Sequence, residues 1–205
     1  MNKMILISSF LIAAFSFGAT AKDKKKALSA PPVVTRMDVT GNLKWTGYGV
    51  GKSHNGDLAL KSGHVEMQGE QLVGGEFLID MTSLKTTDSE KLQGHLQSPD
   101  FFDVKNQPEG KFKITNVEMI KGAAAGAPTH KITGNLTIKG KTHPETFMAV
   151  IQKDGKKWTA KADAEIKDRT QYDIVYNSAK FKTASALGDK LIEDNIKIEL
   201  NLATK

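Results

Sequence analysis

Residues 158–167, WTAKADAEIK, alternate apolar and polar positions without a break. Trp158, Ala160, Ala162, Ala164 and Ile166 fall on one face; Thr159, Lys161, Asp163, Glu165 and Lys167 fall on the other. Successive side chains of a strand point to opposite sides, so this pattern predicts a strand with one face buried and one in water. The same period runs through residues 111–115 and through 131–139, where Ile132, Leu136 and Ile138 share a face. It returns in residues 192–202, with Ile196, Ile198, Leu200 and Leu202 together. Shorter runs lie at 43–46, 57–60, 64–67 and 75–81, with glycine-containing turns between them. Residues 146–153 meet the WTAKADAEIK run at Asp154-Gly155, a hairpin signal.

One segment reads as helix, residues 88–96, with Asp88 as its N-cap. Ser98-Pro99 predicts a new short helical turn, with Ser98 capping and Pro99 in first position. Residues 122–128, GAAAGAP, read as a flexible loop between two strands, and no repeat of domain-building length is present.

About eight short strands with little helix predict an all-β fold, an antiparallel barrel or a sandwich. The outward faces are charged, which excludes a barrel set in an outer membrane, whose outer face must be apolar. An eight-stranded barrel is just wide enough to be filled by side chains or to hold one ligand. The three alanines therefore pose a question. They leave space on an inward face, and either a guest or a large side chain such as Trp45, Trp158 or a phenylalanine must fill it. The pattern leaves both readings open.

Composition narrows the setting. Met1-Asn2-Lys3, an apolar run to Phe17 and Ala19-Thr20-Ala21 form a signal-peptide pattern, with cleavage expected after Ala21. That run is too short and too rich in serine to span a bilayer. The expected organisation is a signal peptide at 1–21, a flexible basic tail at 22–34 and one domain at 35–205. The chain has no cysteine, so no disulfide supports the fold and no lipid can be attached there. The formal charge of +6 is partly concentrated in Lys22, Lys24, Lys25 and Lys26. A solvated tail is the plain account, and transient attraction to anionic lipid head groups is the sharper one. Nucleic acid is not expected, since no aromatic residues interleave with the basic ones.

The motifs that suggest chemistry do not complete themselves. Residues 47–53, GYGVGKS, have Thr46 where a phosphate loop needs its first glycine, and Lys52 where a dinucleotide fingerprint needs its third. Glycines in such a run mark a bulge or a barrel corner. His54, His64, His95, His130 and His143 show no helical metal-binding spacing, and no G-x-S-x-G elbow is present. No metal, cofactor or catalytic residue is assigned. Arg169, just past the alanine strand, reads either as an ion-pair partner of Asp168 or another carboxylate, or as a clamp for a polar head group.

Four stretches together resemble the YceI family. Residues 94–104, GHLQSPDFFDV, followed by Pro108 and Phe112, are similar to its H-L-x-S-x-D-F-F-D-V segment. Residues 133–142, TGNLTIKGKT, resemble its G-x-L-T-I-x-G-x-T motif. Residues 168–174, DRTQYDI, match its D-R-[ST] motif before an aromatic, and residues 75–80, GEFLID, follow the same order. The chain departs from the family in residues 90–94, EKLQG, which lack an Arg-Asp pair before His95.

The resemblance implies an extended lipocalin-like antiparallel barrel with helical cover, periplasmic, dimeric in many members and not an enzyme. It implies a long amphiphilic guest, a polyisoprenoid or quinone-like molecule. On that basis the expected lining comprises Trp45, Phe77, Phe112, Ile132, Leu136, Ile138, Phe147, Trp158, Ala160, Ala162 and Ala164. Phe101 and Phe102 would close one end, and His95, Arg169 and Tyr172 would supply polar contacts near an entrance. Two other functions compete with a carrier: a periplasmic enzyme acting on a lipid through His95, and an adhesion or scaffold protein with a solid core.

Overall fold

The computed structural model describes residues 33–205, in which every alternating run finds a partner. The strands are β1 (Val34–Gly49), β2 (Lys52–Gln68), β3 (Gln71–Thr86), β4 (Glu109–Met119), β5 (His130–Ile138), β6 (Lys141–Asp154), β7 (Lys157–Ile166) and β8 (Ile192–Thr204). Each pairs antiparallel with the next, and β8 returns to β1 to close the barrel. Closure leaves no strand without a neighbour on each side, which suits a chain with this much exposed strand. The expected signal peptide lies outside the described residues, as does all but the end of the expected basic tail.

β1 to β3 run longer than their sequence patterns, because bulges let them bend and keep pairing. The β1–β2 register shifts between Asp38 and Asn42, and β2–β3 shifts three times. The glycine run 47–51 contains a further shift, between Gly47 and Gly49 against β8, and a tight turn with Gly51 at φ +67°. It is a barrel corner, followed by a strand.

The two ends of the barrel differ. The turns 69–70 and 155–156, the 120–129 loop and both chain ends of the sheet lie at one end, here the turn end. The other, the cover end, carries the long connections 87–108 and 167–191. The first holds helix α1 (Glu90–Gln97), which packs on β3. Its cap is Ser89, not Asp88: the Ser89 hydroxyl accepts from the Leu92 amide at 3.2 Å. Asp88 sits one residue too early to reach that amide, and its carboxylate meets His54 Nδ1 at 2.8 Å. Ser98 starts no new helix. It ends α1, donating from both its amide and its Oγ to the His95 carbonyl, and Pro99 follows in a plain turn. The second connection holds a 3-10 turn at Arg169–Tyr172, helix α2 (Ala184–Leu187) and another 3-10 turn at Gly188–Lys190. These were not visible as amphipathic periods because each is about one turn long.

Candidate functional site

The alanine face of β7 lines a cavity along the barrel axis. Ala160 lies opposite Ile151 of β6 and Leu202 of β8, Ala162 opposite Ala149 and Leu200, and Ala164 opposite Ile198. Across the interior stand Phe77, Phe112 and Phe147, with ring centroids 6.4 and 5.5 Å apart in that order. Ile132, Leu136 and Ile138 of β5 join them, and Phe102 lines the cover end. The cavity volume is about 180 Å³, and its wall is apolar almost throughout.

Neither tryptophan fills the room beside the alanines. Trp158 is part of the wall near the turn end, with Lys153 Nζ 5.7 Å from its ring. Trp45 is buried elsewhere in the core, where its Nε1 donates to the Lys85 carbonyl at 3.1 Å. It does not line the cavity.

Two seams in the sheet are incomplete. β3 and β4 pair from Glu76–Lys113 to Asp80–Glu109 and part toward the turn end. β6 and β7 pair from Asp154–Lys157 to Ala149–Ala162 and part toward the cover end. At the β6–β7 seam the cavity is bordered by Thr146, Lys161 and Glu165 as well as by apolar residues. These three are exposed, and alternation points them outward. Outward-facing residues can border an inner cavity only where the wall opens, so the seam is the cavity's side mouth.

The expected head-group residues lie outside the cavity. His95 sits in an aromatic plug at the cover end, 4.9 Å from Phe101 and 4.6 Å from Tyr176, edge-on to both. Its Nε2 meets Asp100 at 3.2 Å, with both side chains partly in water. Phe101 is buried in that plug and does not reach the cavity.

Arg169 is 2% exposed, and four of its five N–H donors go to backbone carbonyls of its own chain. Nε donates to the Glu193 carbonyl, Nη1 to Ile174, and Nη2 to Tyr176 and Ile192, at 2.6–3.1 Å. Its nearest carboxylate is Asp194 at 3.5 Å, while Asp168 pairs with Lys180 at 2.6 Å. With its donors spent on carbonyls, Arg169 fastens the 167–191 connection to β8 and is no clamp for a head group. Burial pushes the Asp168 carboxyl up, but hydrogen bonds from Lys180, Thr170 and Gln171 outweigh it and hold the pKa at about 2.

Tyr172 is fully buried, and its hydroxyl donates to Glu145 Oε1 at 2.9 Å. The His143 ring stands edge-on to it at 5.2 Å. Glu145 is the residue that sequence reasoning missed. It shares the inward face of β6 with Phe147, Ala149 and Ile151, and it borders the cavity. The available signal was its parity: a carboxylate two places before Phe147, on the face that continues as Ala149 and Ile151. Burial raises the Glu145 pKa, while Tyr172, His143 and Lys167 pull it back. Burial, and then Glu145 itself, push the Tyr172 hydroxyl well above its ordinary pKa.

A family model for the YceI-like domain matches residues 34–204. A UPF0312 protein of Pseudomonas putida strain W619 is 44% identical over 62 residues, which is 30% of each chain. The chain thus spans about a third of the length of the curated relatives it matches. Among solved structures, Burkholderia cenocepacia BcnA is similar with a TM-score of 0.61 and 21% identity, over 80% of this chain and 96% of that one. A polyisoprenoid binding domain from Saccharophagus degradans, implicated in plant cell wall breakdown, is similar with a TM-score of 0.59 and 13% identity, over 83% and 99%. At these identities the likeness is one of fold.

Proposed function

The chain belongs to the YceI-like domain family, and on that premise we propose that it binds one long amphiphilic lipid inside its barrel, for storage or transport. The observation that carries this reading is the apolar channel beside Ala160, Ala162 and Ala164, which no side chain among the described residues fills. A flexible apolar chain suits such a space. Each methylene taken from water contributes about 0.8 kcal/mol, so a long tail binds without many polar contacts. The polyisoprenoid binding of the Saccharophagus domain supports a prenyl chain as the guest. We read the protein as a binder and not as an enzyme. His95 and Asp100 lie in the plug and present no base to the cavity.

The same proposal includes export. Residues 1–21 act as a cleaved signal peptide, and the protein works in the periplasm, where Lys22 to Lys26 favour transient contact with anionic membrane. It further includes a homodimer, as the family resemblance implies. N-terminal sequencing of protein from a periplasmic fraction tests the first point, with Lys22 as the expected first residue.

Native mass spectrometry of the protein purified from its own host, followed by organic extraction, tests the binding. An adduct that fragments as a prenyl lipid is the expected result. A bare mass that stays bare after incubation with prenyl lipids would overturn the proposal.

A further inference from the structure

Among the described residues the channel has one inward-facing ionisable side chain bordering it, Glu145, and that side chain stands at the side mouth. Glu145 lies on the stretch of β6 that has lost its β7 partner, since pairing ends at Ala149–Ala162. Its neighbour across β5 is Gly134, which has no side chain to cover it. Oε1 is taken by the Tyr172 hydroxyl, and Oε2 makes no hydrogen bond among the described residues. Oε2 is not sealed from solvent, and a carboxylate oxygen with no protein donor beside an apolar channel is free to take a donor that arrives with the guest.

The charged groups around it set the kind of partner. Tyr172 from the 3-10 turn, His143 from its own strand and Lys167 from the connection after β7 face Glu145. Lys161 and Glu165 border the mouth from β7, both exposed. Glu165 is already bonded by Asn195 at 2.9 Å. The lysines act from water, where their fields are screened, while Glu145 acts from the half-buried inner side. A head group seated at the seam therefore meets a carboxylate first. An anionic head is repelled there, and a neutral head that can donate is held.

Building on the lipid-binding reading, we propose that Glu145 accepts a hydrogen bond from the polar end of the guest at the β6–β7 seam. It thereby selects a long-chain lipid alcohol over the phosphorylated form of the same chain. The tail lies along the alanine face, and the hydroxyl sits where the wall opens.

The test measures binding of three C20 probes to the delipidated protein by quenching of its tryptophan fluorescence, Trp158 being in the cavity wall. The probes are geranylgeraniol, its methyl ether, which has no donor, and its diphosphate. The alcohol is expected to bind about tenfold more tightly than either of the others. In Glu145→Gln, diphosphate binding is expected to rise to within about threefold of the alcohol, because the charge is gone. Glu165→Gln removes the exposed carboxylate at the same mouth, leaves Glu145 in place and is expected to keep the preference for the alcohol. Equal binding of all three probes would leave the lipid reading standing and overturn the role of Glu145. So would a wild-type preference that survives unchanged in Glu145→Gln, or one that vanishes in Glu165→Gln. Failure of every probe would overturn both readings.

Discussion

Ala149 of β6 and Ala162 of β7 face each other as the last paired residues before the two strands part. Their methyl groups line the cavity beside the seam, so side-chain size at this pair governs both the width of the channel and access to it.

Ala162→Trp should block the channel. The indole would occupy space that is now empty, at a packing cost of about 1–3 kcal/mol if neighbours must shift. Loss of lipid copurification with an unchanged far-ultraviolet circular dichroism spectrum is the expected outcome. Undiminished lipid loading in a folded variant would place the guest elsewhere.

Two glycines on neighbouring strands should respond differently to alanine. A β-carbon at Gly134 would overlap the Phe112 ring and lie 2.6 Å from the Lys113 carbonyl oxygen. Phe112 is hemmed in by Phe77 and Phe147, so Gly134→Ala should cost about 1–3 kcal/mol. At Gly110 the nearest atoms are 3.5 Å away, ordinary contact, and alanine there should change stability by less than about 0.5 kcal/mol. Urea midpoints of the two variants check the contrast.

Arg169→Met should be among the most damaging single changes. It strips four carbonyls of their donor and leaves the buried Oδ1 of the half-buried Asp194 without its cation. Breaking a buried pair in this way costs about 3–5 kcal/mol. The expected signature is a large fall in urea midpoint together with new protease cleavage within residues 173–182. Cleavage resistance equal to that of the wild type would show that Arg169 does not fasten this connection.

Acid should loosen the same connection through Asp168. Its folded pKa, about 2, lies below its ordinary value of 3.8. A lowered folded value means stability that is complete above the unfolded pKa and declines as pH falls through about 4 toward 2. The contribution at neutral pH is at most about 2 kcal/mol, since Lys180 is half in water. Asp168→Asn should therefore lower stability at pH 7 and narrow its gap to the wild type at pH 2.5. A constant gap between those pH values would exclude the carboxylate charge as the cause.

How much of this was written in the linear chain can be argued from particular residues. Period-two alternation was enough for β4, β5, β7 and β8, because each buries one face and leaves the other in water. The barrel wall followed, with Phe77, Phe112, Phe147 and the three alanines among the residues around the channel. The cap of α1 was misplaced by one residue, because Asp88 and Ser89 are both good caps and only the start of the helix decides between them. The roles of Arg169 and Tyr172 were not legible. A lone arginine beside an aspartate looks the same whether it clamps a ligand or binds backbone carbonyls, and the carbonyls it holds come from residues 5 to 24 positions away.

The sequence by itself determined what local physics controls: strand periodicity, turn positions, the charged outer face and the small residues on the inner one. The tertiary structure alone decided where pairing stops between β6 and β7, and hence where the channel opens. It also turned Glu145 inward against Tyr172, 27 residues away. Those features depend on bulges, register and barrel closure, which couple distant strands, and no window along the chain contains both partners.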